Sequence, residues 1–83
     1  MGQVMKNRFN VIISSDDPYN ELCAEIYFNN DFIAIITQER GIENALIEMV
    51  SPKGGENWSF GYLEFIEILK DAHTTLLSLN SSR

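Results

Sequence analysis

The residue types in this chain that can do chemistry are few and lie far apart. His73 is the sole histidine. An imidazole titrates near neutral pH, so it can serve as a general base or a pH switch. Either role needs a positioned partner and a pocket. Zinc would need companion ligands, and no Cys-x-x-Cys accompanies His73. It borders the apolar stripe of a predicted helix, and the expectation is a half-buried helix residue with one nitrogen satisfied. Cys23 is the sole cysteine, which rules out an intramolecular disulfide. A reactive thiolate needs a nearby cation, and Cys23 lies between Leu22 and Ala24 on a predicted strand. It is expected to act as a small hydrophobe. Asp16-Asp17 and Asp31 invite a calcium reading. A calcium loop, however, takes ligands at alternate positions and closes with a bidentate Glu. Here the aspartates are adjacent and Pro18 follows, so solvated turns describe them better. Lys53-Gly54-Gly55 has the wrong order for a phosphate loop. With no nucleophile–base pair, metal set or phosphate cradle, the chain is expected to be no enzyme and to carry no cofactor.

What remains is surface. Six basic against twelve acidic residues give a formal charge of −6 over 83 residues. That sign opposes nucleic acid and anionic membranes, and it favours a basic protein partner. The carboxylates Asp16, Asp17, Glu25, Asp31, Glu39 and Glu43, with Tyr27 among them, are the candidate partner-binding residues. The same acidic groups also read as the solvated faces of amphipathic elements. Met1 to Asn10 has no apolar core of a signal peptide, and no apolar run approaches the ~18 residues of a membrane span. With the lone cysteine, this predicts a cytoplasmic protein.

The elements that must position these groups follow from periodicity. Residues 1–83 are expected to form a single domain with an ordered core of about 8–79 and loose ends at 1–7 and 80–83. Arg8–Ser14 alternates as a strand, and Ser15–Asn20 is a loop. Glu21–Phe28 is a second strand, with Leu22, Ala24, Ile26 and Phe28 on one face and Cys23, Glu25 and Tyr27 on the other. Asn29-Asn30 suits a two-residue hairpin turn, because Asn tolerates positive φ. Asp31–Gln38 follows as a strand. An even loop count puts Ile33 and Ile35 beside Ile26 and Ala24, and Phe32, Ala34 and Ile36 beside Tyr27 and Cys23. Both faces of that hairpin are apolar, so it lies mid-sheet or presents one face to a partner. Ile42–Val50 fits both helical spacing and alternation. Its shortness and the following Pro52 favour a strand. Asn57–Phe60 suggests a short further strand. A helix ending near Leu79 carries the stripe Tyr62, Phe65, Ile66, Leu69, Ala72, Leu76 and Leu79. Trp58, Phe60 and Tyr62 read as the hinge packing that helix on the sheet, or as interface anchors. The expected class is therefore α+β: an antiparallel β-meander of four to five strands with one C-terminal helix packed across one face.

The run from Ala24 to Gly41 (Ala-Glu-Ile-Tyr-Phe-Asn-Asn-Asp-Phe-Ile-Ala-Ile-Ile-Thr-Gln-Glu-Arg-Gly) resembles a hairpin of small bacterial immunity proteins. In those proteins a strand, a Trp-x-Phe-like stretch and a helix follow, here Trp58-Ser59-Phe60 and Tyr62–Leu79. They belong to polymorphic-toxin and contact-dependent growth inhibition systems, and the likeness spans most of residues 9–79. The resemblance implies a cytoplasmic protein that binds one cognate toxin, often a basic nuclease, and covers its active-site region with an acidic surface. Two readings stand beside it. One is a homodimeric structural module pairing through its apolar hairpin. The other is a ligand-binding or enzymatic pocket between helix and sheet that holds Glu64 or Tyr62.

Overall fold

Alternating apolar residues and one long amphipathic segment produce five strands and a helix. These are β1 (Gln3–Lys6), β2 (Phe9–Ser14), β3 (Cys23–Phe28), β4 (Asp31–Thr37), β5 (Leu46–Met49) and α1 (Tyr62–Ser81). A computed structural model describes residues 3–6, 8–15, 18–55 and 57–81, without the side chains of 3–6 and 53. The strands lie in chain order β1-β2-β3-β4-β5, every neighbouring pair antiparallel. This is the α+β meander with a C-terminal helix that the sequence predicts.

In β2, Phe9, Val11 and Ile13 are buried and alternate with half-buried Asn10, Ile12 and Ser14. Their partners Phe28, Ile26 and Ala24 on β3 share the core face. Asn29 and Asn30 both adopt positive φ (51° and 70°), as a tight hairpin turn between β3 and β4 requires. Past that turn the expected alternation fails. Tyr27 pairs with Phe32, but Ile26 pairs with Ala34, so Ile33 is an extra residue. A β-bulge shifts the parity of everything beyond it. Ala34 and Ile36, rather than Ile33 and Ile35, therefore lie opposite Ile26 and Ala24, while Ile35 shares the face of Glu25. Ile33 and Ala34 are both fully buried.

Other expectations are corrected at the element ends. Gln3–Lys6 is a strand paired to β2, not a loose end. It satisfies the backbone edge that β2 would otherwise present to water. Ile42–Asn44 forms a 3-10 turn after Gly41, whose φ of 94° starts it, and only Leu46–Met49 is strand. Asn57–Phe60 pairs with no strand. It is held instead by the Trp58 indole N–H, which donates to the Val50 carbonyl at 2.7 Å, and by ring contacts. Helix α1 runs through Ser81, past the expected frayed end.

The face of α1 that meets the sheet is Ile68, Ala72 and Leu76, with Phe65, Leu69 and Leu79 packed beside them. Ile68 is absent from the expected stripe, whereas Tyr62, which belongs to it, is 76% exposed. Tyr62 occupies the first helical position, beyond the apolar cover. His73 is exposed rather than half-buried. The helix lies against β1, β2 and β3. At its N-terminal end Phe60 joins an aromatic group: its ring centroid is 4.8 Å from Phe28, 5.2 Å from Phe65, 5.4 Å from Phe9 and 5.7 Å from Trp58. Packing therefore accounts for Trp58 and Phe60, while Tyr62 stays outside the cluster.

Candidate functional site

The predicted partner-binding residues separate into two places. Asp16 and Asp17 lie outside the described residues. Glu25 and Tyr27 share one face of β3, and Asp31 opens β4 beside the turn, opposite Phe28. Glu25, on the face away from the helix, accepts hydrogen bonds from Ser14 Oγ at 3.0 Å and Tyr27 Oη at 2.8 Å. Burial, then the bond to Glu25, raises the Tyr27 phenol above its ordinary range. The Tyr27 ring sits 5.5 Å from that of Phe32. A cleft of about 560 Å³ opens near the β3–β4 turn, and its lining includes Tyr27, Asp31, Phe32, Pro52, Asn57 and Trp58. Its volume is within the range of ligand sites. Asp31 is exposed, and its carboxylate bonds to no described residue.

Glu39 and Glu43 lie at the opposite end of β4. The Glu39 carboxylate accepts from the backbone N–H of Asn20 (3.0 and 3.1 Å) and of Glu21 (2.7 Å). These two donors, Asn20 foremost, hold it below the usual carboxylate range. Glu39 therefore clamps the segment before β3 and is less available to a partner than the sequence suggests. Glu43 is exposed in the 3-10 turn. The clamped segment also reaches β5. The Tyr19 phenol is raised by burial first and by the nearby charge of Glu48 on β5 second.

This arrangement covers Cys23, which is buried on the outer face with Sγ 3.5 Å from the Glu21 carbonyl. Burial, then the negative Glu39 and Glu25, pushes its thiol up to about 11. Such a thiol is almost wholly protonated at neutral pH and is a poor nucleophile. Native protein at pH 8 should accordingly react with an aromatic disulfide reagent at least ~100-fold more slowly than protein in denaturant. Comparable rates in the two states would show that the covering segment does not protect it.

Two features escape the sequence reading. One is the combined contribution of Phe32 and Trp58 to the cleft. The other is the exposure of β5, where Leu46 is 63%, Ile47 45% and Met49 49% exposed. Its composition carries a signal, because Leu46-Ile47-Glu48-Met49 has apolar residues on both faces and is the last strand of a meander. Register places Ile47 and Met49 on the helix side of the sheet and Leu46 and Glu48 on the other. Among the described residues, no group of His, Cys, Asp and Glu is placed to hold a metal ion, and no helix is long and apolar enough to cross a membrane. No protein-family model, curated protein or solved structure matches this chain.

Proposed function

We propose that this chain is a protein-binding domain of the immunity type, without catalysis of its own, which neutralises a basic toxin domain in the cytoplasm. The observation that carries the binding role is β5. It is the last strand of the sheet, and Leu46, Ile47 and Met49 are all open to solvent. Natural sheets usually shorten, charge or cover their edges, and an open apolar edge is a template for a partner strand. The charge of −6 supports a basic partner. The toxin assignment rests on the resemblance of residues 24–41 and the segments that follow.

The test is co-expression with the toxin domain encoded beside the gene. The chain should restore growth, and Ile47→Lys should remove that protection by weakening binding ~100-fold, a typical cost of losing an interface anchor. The same substitution should leave stability within ~0.5 kcal/mol, since Ile47 is a surface residue. Killing that continues at full expression of the folded chain would reject the toxin assignment. Full protection by Ile47→Lys would remove β5 from the interface. The same open edge also favours a second reading, a two-fold dimer through β5. Sedimentation as a monomer at micromolar concentration would dispose of that one.

A further inference from the structure

We propose that the cleft at the β3–β4 turn is a binding site for an arginine guanidinium presented by the protein partner. The inference rests on the reading of the chain as a protein-binding domain and names the side chain that it grips. Three aromatic residues, Tyr27, Phe32 and Trp58, line this one opening, and Asp31 is the acidic residue on the same lining. Aromatic faces attract cations through their quadrupole, and a nearby carboxylate adds a charge-assisted hydrogen bond. Guanidinium suits the combination better than ammonium, because it is planar, weakly hydrated and able to stack while its edge donates.

The walls are preorganised. Trp58 stacks on Phe60, which lies outside the cleft, with ring centroids 5.7 Å apart, and its N–H is already bonded to Val50. The Tyr27 hydroxyl donates to the Glu25 carboxylate at 2.8 Å, which fixes the ring. No described side chain lining the cleft is basic, so nothing described there neutralises Asp31 from within. The cleft is also continuous with the open edge. Val50, the residue after β5, forms part of its wall and donates its N–H to the Ile33 carbonyl at 2.9 Å. A strand laid along β5 would carry its flanking residues toward this opening.

Trp58 is the sole tryptophan, so its fluorescence reports the site directly. N-acetyl-arginine amide titrated into the full chain at constant ionic strength should change that signal saturably, with a Kd on the order of millimolar. The neutral isostere N-acetyl-citrulline amide should bind at least ~10-fold more weakly, and N-acetyl-lysine amide should fall between them. Asp31→Asn should weaken the arginine analogue about 10-fold without changing the far-ultraviolet circular dichroism. Absence of saturation up to ~100 mM, or equal responses to arginine and citrulline, would overturn the site. The two readings fail separately. Arginine binding without toxin protection leaves the cleft standing and removes the toxin assignment. Protection without arginine binding, and undiminished in Asp31→Asn, removes the cleft alone.

Discussion

Phe9→Ala is expected to leave the protein largely unfolded at 37 °C. Phe9 is 1% exposed and sits where sheet, helix and the segment before the helix meet. Its ring lies 4.8 Å from Phe28, 5.4 Å from Phe60 and 5.8 Å from Phe65. Truncating a buried phenylalanine costs about 3–5 kcal/mol, from lost transfer energy and from the cavity left behind. A domain of this size has little reserve, on the order of 5 kcal/mol. The thermal midpoint should drop by roughly 20 °C in a circular dichroism melt. Phe9→Leu, which keeps most of the volume, should lose much less. A drop under ~5 °C for Phe9→Ala would mean that the aromatic group closes over the gap and is not the keystone its geometry implies.

Gln38→Ala should have the second-largest effect, for a different reason. Gln38 is only 3% exposed and joins three parts of the chain through its amide. Its Nε2 donates to the Leu22 carbonyl at 2.9 Å and to Asn80 Oδ1 at 3.1 Å, and its Oε1 accepts from Asn80 Nδ2 at 2.8 Å. Among the described residues, no buried side-chain polar atom lacks a partner. Removing this amide strands the Leu22 carbonyl and both ends of the Asn80 amide. Leaving such groups unsatisfied costs about 2–4 kcal/mol in total. A double-mutant cycle with Asn80→Ala should give a coupling of ~1–2 kcal/mol, measured by urea denaturation. Additive effects of the two substitutions would show that the reciprocal amide pair does not lock the helix end to the sheet.

Much of the fold is legible in the order of the amino acids. Alternation places β2 and β3, the Asn29-Asn30 turn follows from the tolerance of Asn for positive φ, and period 3.6 finds α1. These are local properties, carried by side chains that act on their own backbone or on near neighbours. The misreadings fall where a distant segment decides. The bulge at Ile33 flips the face of β4, and nothing in the strand's own composition announces it. Pairing of Gln3–Lys6 depends on β2 having an edge to complete. Tyr62 and Ile68 exchange places in the stripe because the sheet covers only part of the helix.

The candidate site divides in the same way. Acidity, the lone thiol and the single histidine are matters of composition, and the residue inventory is enough to state them. Which carboxylates are free for a partner is a matter of tertiary contacts. Nothing local in the sequence sets Glu25 and Glu39 apart from Asp31, yet both are bonded within the molecule, whereas Asp31 bonds to no described residue. Hydrogen-bond donors brought from residues 14, 20, 21 and 27 make that difference. The cleft is likewise built from segments that meet only after the chain has run through β5 and turned back at Pro52. Periodicity reports which face a residue takes. What stands opposite that face is settled by the folded chain, because it depends on contacts between residues far apart in sequence.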